Sequence, residues 1–399
     1  MTVEIAVNTR ISSQMNELQA VLEAFQSSQK NGETAFLATV VKTQGSTYRH
    51  PGAKMLMTNT GKTVGTISAG CLENDIFEYT RQQMSDKKTI VVTYDNTTSN
   101  DILWGFGLGC NGIVQVLIEH LDWDCTPNLM VFMQECLSNK HVGVIATVFA
   151  LKGTVDAKLG SRLLLYPNGH IINNIKDTHL TESLIADVQA AQDHQQSSIH
   201  NYQLPFGSAE IFIEVILPPT HLIIFGAGHD VVPVVQLAQI LGWHVTVVDC
   251  RADEATRARF PTTCDVILSR REIIHQQVFI DANTVAVIMT HNYLDDLAIL
   301  KIVLDSAASY LGILGPKYRT EKLLQDLLTQ GIVYTSDQLE RLHSPIGLDI
   351  GADTPEEIAI AIIAEIQAVL SKRNSGFLTN RNQPIHQYDK GNLNLLLAT

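Results

Sequence analysis

The sequence predicts an α/β protein in two parts: an α+β N-terminal domain followed by a Rossmann-like, doubly wound parallel-sheet domain. Three observations predict it. Pro218-Pro219 forms a stiff, non-helical joint past the middle of the chain. After it, strand and helix signals alternate, as a parallel sheet wound on both faces requires. Gly226-Ala227-Gly228 then follows a short apolar strand and opens a helix, the position of a dinucleotide loop. The expected boundaries are 1–218, 219–371 and a weakly periodic tail, 372–399.

The 399 residues exceed a single ordinary core, and 45% hydrophobic against 17% charged residues fits a folded chain. A formal net charge of −13 opposes binding to nucleic acid or to anionic membranes. Neither a secretory leader pattern nor a bilayer-length apolar run is read, so the cytoplasm is the expected compartment. The six cysteines are Cys71, Cys110, Cys125, Cys136, Cys250 and Cys264. Without any C-x-x-C pair they fit neither a zinc ribbon nor a disulfide framework. Cys125, Cys136, Cys250 and Cys264 are expected to be small buried hydrophobes.

In chain order, Leu18, Val21, Leu22 and Phe25 predict a helix over 13–29, and 35–43 reads as a strand. Segments 54–57 and 63–67 flank a hairpin turn, Thr58-Asn59-Thr60-Gly61. Leu72, Ile76 and Tyr79 predict a helix over 72–84, and strands follow at 89–94 and 113–118. The stretch 122–219 is less informative: strands are expected at 142–151, 161–166 and 211–217, and 186–197 reads as a polar helix or linker. Beyond the joint, strands are expected at 221–225, 245–249, 266–268, 284–289 and 310–314, with helices at 231–241, 294–304 and 317–328. Thr354, Pro355 and Glu357 make a capping box for a last helix whose buried stripe is Ile358, Ile362, Ile366 and Leu370. No internal repeat is visible in the residue pattern.

The chemistry concentrates in two glycine-bounded cysteine loops, Ser68-Ala69-Gly70-Cys71-Leu72-Glu73 and Gly107-Leu108-Gly109-Cys110-Asn111-Gly112. Glycine lets the backbone approach a ligand and turn its N–H groups inward. Cys71 sits at a helix N-terminus, where the macrodipole favours a thiolate. Facing one another, the loops would form an anion pocket with two soft sulfur donors.

The second cluster is the Rossmann loop, with Gly226 and Gly228 for close approach of a pyrophosphate and His229 and Asp230 at its mouth. Asp249 ends the next strand, where a carboxylate accepts a ribose hydroxyl, and Arg251 leaves room for a 2′-phosphate. Val231 replaces the third glycine, so the fingerprint is incomplete. His291, past the fourth strand and one helical turn before Asp295, reads as acid, base or metal ligand, or as a helix cap. Lys317 and Arg319 either neutralise a phosphate or form a solvated basic face.

The runs Gly45-Ser46-Thr47-Tyr48-Arg49, Pro51-Gly52-Ala53-Lys54-Met55, Gly70-Cys71-Leu72-Glu73 and Gly107–Gly112 resemble the N-terminal signatures of the XdhC/CoxI family. Gly226–Asp230, Met289-Thr290-His291, Gly312–Gly315 and Pro345–Gly351 are similar to its C-terminal Rossmann domain. The resemblance spans about Phe36 to Val369. It implies an accessory factor that binds molybdenum cofactor (molybdopterin), protects it, assists its sulfuration and delivers it to a client such as xanthine dehydrogenase. It also implies a homodimer working with cofactor-supply and sulfur-donor proteins. Cys71 and Cys110 would be its thiols, with Gly70 and Gly109 supplying N–H donors. Thr47, Arg49 and Lys54 either meet the cofactor's oxygens or line a polar loop. The competing reading is an NAD(P)-dependent oxidoreductase, with NAD or NADP on Gly226, Gly228 and Asp249 and His291 as proton donor. A third is a scaffold that binds nothing tightly.

Overall fold

A computed structural model describes residues 17–68, 70–83, 86–95, 112–125, 127–251 and 257–381. The chain divides between Pro218 and Pro219 into two compact units.

The first unit opens with α1 (Glu17–Lys30), β1 (Ala35–Gly45), β2 (Lys54–Thr58), β3 (Thr63–Gly65), α2 (Glu73–Gln83), β4 (Ile90–Asp95) and β5 (Gly112–His120). It continues with α3 (Leu129–Ser138), β6 (Gly143–Gly153), β7 (Arg162–Leu165), β8 (Ile171–Asn173), α4 (Thr178–His194), β9 (Ser198–Leu204) and β10 (Gly207–Ile216). These make two antiparallel five-stranded sheets, ordered β3-β2-β1-β5-β4 and β8-β7-β6-β10-β9.

The two sheets are copies of one module. Each long first strand carries the same burial pattern, and Gly45, Gly52 and Gly61 have left-handed counterparts 108 positions on in Gly153, Gly160 and Gly169. The turn bonds repeat as well: Val40 N–H to the Ala53 carbonyl matches Val148 N–H to the Ser161 carbonyl, both at 2.9 Å. This corrects the expectation of no internal repeat. The copies share left-handed glycine and buried strand positions but only short runs of identical residues, so pattern reading along the chain passes over them.

The sheets pack face to face through Val41 and Leu117 of one copy against Phe149 and Phe212 of the other, which are equivalent positions. Helices α1 and α3 close the same interior, while α2 and α4 cover the outer faces. Two buried ion pairs cross it reciprocally: Lys54 with Glu214, and Arg162 with Glu119. Lys54 aligns with Arg162, and Glu119 with Glu214, so each copy supplies one cation and one carboxylate to the other. Helix α3, the short β8 and the edge strand β9 of this unit were not foreseen. Helix α3 is apolar on most of its circumference because it lies within this core, which removes the amphipathic signal. The edge strand β9 carries polar residues along much of its length and shows no clear strand signal.

The second unit runs β11 (His221–Phe225), α5 (Val231–Ile240), β12 (His244–Asp249), β13 (Asp265–Leu268), α6 (Ile274–Gln277), β14 (Thr284–Ile288), α7 (Tyr293–Leu304), β15 (Tyr310–Ile313), α8 (Lys317–Thr329), α9 (Ser336–Glu340), β16 (Leu342–His343) and α10 (Pro355–Leu370). Its parallel sheet has the order β13-β12-β11-β14-β15-β16, the doubly wound dinucleotide-fold order. Helices α5 and α10 pack on one face and α7 and α8 on the other. The Thr354–Glu357 capping box is present, and Ile362 and Ile366 are buried beneath it, although Leu370 is 37% exposed.

Candidate functional site

In the first unit the ends of β1, β3 and β4 and the starts of β2 and β5 share one edge of the first sheet. The register fixes this through Gly45 opposite Gly112, Met55 opposite Gly65, and Asp95 opposite Ile113. From that edge the chain 66–72 leads into α2 and carries the exposed Cys71. Cys110 and Gly109 lie outside the described residues, in the chain between Asp95 and Gly112.

The loop before α2 does turn its amides inward, but towards the chain's own Glu73. One carboxylate oxygen accepts from Ile67 N–H (3.0 Å), Ser68 N–H (2.8 Å) and the Thr66 hydroxyl (2.5 Å). The other accepts from Gly70 N–H (2.8 Å), Leu72 N–H (3.2 Å) and the Ser68 hydroxyl. Burial alone would raise this acid, yet the donors from Ser68 and Thr66 outweigh it and lower its pKa to about 2. Gly70 was read as a donor to the cofactor; its amide is engaged within the loop. Glu73 also meets the positive end of α2 ahead of the thiol, so the macrodipole is not Cys71's alone. The amides hold a shape, and Cys71 is presented on its outside.

Arg49 and Lys54 are also committed. Arg49 forms a two-pronged pair with Glu17, whose carboxylate also accepts Thr66 N–H at 2.8 Å, tying the β1–β2 connection to the Cys71 loop. Lys54 is 4% exposed, with its ammonium on Glu214 and the Gly52 carbonyl. Its direction corrects the expectation that it reaches a ligand: position 54 faces the interior between the sheets.

In the second unit, Gly226 adopts φ +121°, and a Cβ there would lie 2.2 Å from the Met289 carbonyl oxygen. Glycine is required because the turn abuts the end of β14. Asp249 accepts Ala227 N–H at 2.7 Å and the Arg251 guanidinium at 2.9–3.1 Å. Against the cost of burial, these contacts hold its pKa below the usual value. The space beside Gly228 is taken by the Asp230 carboxylate, 2.5 Å from where a Cβ would stand, while His229 is exposed. The partner foreseen for His291 is corrected: its Nε2 lies 2.8 Å from the Asp230 carboxylate, across the sheet edge, and it is Asp230 rather than Asp295 that holds it. Asp295 instead pairs with Arg271 at 3.0 Å and accepts the Cys250 thiol at 3.7 Å. Arg319 is bound to the buried Asp296.

Cys136 and Cys264 are buried, and desolvation pushes each thiol up to about 12. Cys125 and Cys250 are exposed, against expectation, because each lies just past the end of a strand or its following turn rather than inside an element. Sequence reading also passed over Arg270 and Arg271, which follow β13 at the ligand-binding edge of the sheet. That position was the available signal. Among the described residues no cluster suited to a metal ion is found, and no helix is long and apolar enough to cross a membrane.

The chain is thus a duplicated antiparallel module followed by a Rossmann unit, with the exposed Cys71 ahead of the first copy's helix. The XdhC Rossmann domain model matches residues 222–366, and the XdhC and CoxI family model matches 28–95 and again 136–203. Those two segments are the two copies of the module. A Bacillus subtilis (strain 168) protein, named as a probable xanthine dehydrogenase subunit, is 31% identical over 354 residues, spanning 88% of this chain and 97% of its own. The molybdenum cofactor insertion chaperone PaoD of Escherichia coli (strain K12) is 21% identical over 85% of this chain and 84% of its own. A crystal structure described as a xanthine dehydrogenase from Bacillus halodurans matches with a TM-score of 0.72 at 28% identity, over 89% of this chain and 97% of that one. This chain belongs to the XdhC and CoxI family.

Proposed function

We propose that this protein is an accessory factor that carries molybdenum cofactor to a xanthine dehydrogenase-type molybdenum enzyme and assists its sulfuration, with Cys71 and Cys110 as its working thiols. The observation that carries the reading is the difference between the two copies. In the second copy Asn173 leads almost directly into α4, and Leu204 into β10. In the first, the helix starts later, after 66–72, and the connection 96–111 is longer than its two-residue counterpart; each segment contains one of the two cysteines. A scaffold duplicated for stability needs neither the longer 96–111 connection nor a cysteine in both segments of one copy.

The cofactor is cargo, contributing an oxidisable metal–dithiolene centre and a phosphate. An exposed thiol suits the metal–sulfur end. In sulfuration, a Cys71 thiolate would attack the outer sulfur of a donor protein's persulfide, forming its own persulfide and releasing the donor's thiolate. The family relationship and the name of the chaperone relative support the molybdenum assignment.

The experiment compares full-length wild type with Cys71→Ala and Cys110→Ala, measuring bound molybdenum and pterin and the sulfido content of the reconstituted client. Loss of both in either variant is the expected result. Wild-type loading and a fully sulfurated client in both variants would overturn the reading.

A further inference from the structure

We propose that the Rossmann unit binds a phosphomonoester, the terminal phosphate of a nucleotide or pterin, in an arginine-lined pocket beside the glycine loop rather than on that loop. The inference concerns a different unit from the cysteine site and stands or falls separately from it.

The glycine loop is poorly placed to receive a pyrophosphate. Ala227 N–H is engaged by Asp249, and the Asp230 carboxylate occupies the space against Gly228 where the fold brings the phosphates. A phosphate there would meet a negative charge at contact distance. His291 on the far side of Asp230 fixes that carboxylate over the loop and adopts φ +56°, a left-handed conformation that is costly for a residue other than glycine.

Next along the same sheet edge, the segments after β12, β13 and β14 border an open cleft of about 560 Å³, the size of a mononucleotide-scale ligand site. Its lining includes Cys250, Arg251, Arg270, Arg271, Thr290 and Asn292. Three guanidinium groups therefore converge from two neighbouring parallel strands. Arg251 is held by the buried Asp249, and Arg271 by Asp295 and Glu272, which fixes the direction of both forks. Arg270 pairs with no carboxylate among the described residues, so of the three guanidinium groups it is the one not already held by an acid. Guanidinium forks match the oxygens of a terminal phosphate, and a dianionic monoester gains more from them than a singly charged diester linkage.

The test is calorimetric titration of the full chain with inorganic phosphate, 5′-AMP, a pterin bearing a terminal phosphate, and NADH, whose phosphates are all in diester or anhydride linkage. Phosphate and 5′-AMP are expected to compete for one site, with NADH at least tenfold weaker. Arg270→Gln, an exposed change that should leave thermal melting unaltered, is expected to weaken 5′-AMP about tenfold. The tighter of 5′-AMP and the pterin phosphate identifies the source of the phosphate. Absence of phosphomonoester binding, NADH binding as tightly as 5′-AMP, or an unaltered Arg270→Gln affinity would each overturn the proposal.

Discussion

The Tyr94 hydroxyl donates a 2.6 Å hydrogen bond to Asp75, joining the end of β4 to the first turn of the helix that follows Cys71. Through it, the Cys71 loop and the strand end from which 96–111 departs are held as one piece. Tyr94→Phe should cost about 1 kcal/mol of stability and speed alkylation of Cys71 severalfold. An unchanged alkylation rate would show that the tie does not govern the thiol's setting.

Glu73 is the internal anion of that loop. Glu73→Gln replaces an acceptor by a donor facing several N–H groups, so a loss of about 2–3 kcal/mol is expected at pH 7. The sign with pH follows from the pKa near 2 against 4.5 for an ordinary glutamate. The carboxylate's contribution is complete above about pH 4.5 and is lost as pH falls toward 2. Urea midpoints of wild type and variant should therefore differ most at pH 7 and converge at low pH; a constant gap would contradict this.

Lys54 and Glu214 test the reciprocal ion pairs. Lys54→Met leaves a buried carboxylate without its cation and should destabilise by about 3–5 kcal/mol. Adding Glu214→Leu should recover much of that loss, because two apolar groups need no charge compensation. Denaturant unfolding of the two variants separates these outcomes, and additive losses would refute the coupling.

Asp230 bears on the glycine loop. Asp230→Asn removes the charge beside Gly228 and should raise NADH affinity by about tenfold, leaving 5′-AMP little changed. Equal NADH binding by wild type and variant would mean that the carboxylate does not obstruct the loop.

Local signals were legible where one residue's conformation answers one local need. Thr354, Pro355 and Glu357 cap α10 as their sequence implies, and Gly226 turns the chain after β11. The module repeat was not legible, although Ala38-Thr39-Val40 and Ala146-Thr147-Val148 occupy equivalent strand positions. Short apolar runs recur in any sheet, and the longer loops of the first copy break the spacing after β4.

Sequence alone determined the chain's family, its division into an α+β part and a Rossmann part, and Cys71 as a residue in an accessible loop. All of these follow from patterns within a few turns or strands. Tertiary structure decided which charges are committed. Lys54 meets Glu214, His291 meets Asp230 and the Gly70 amide meets Glu73. Whether a charged group is free to bind a ligand depends on its nearest opposite charge in space, and for Lys54 and His291 that partner is distant in the chain.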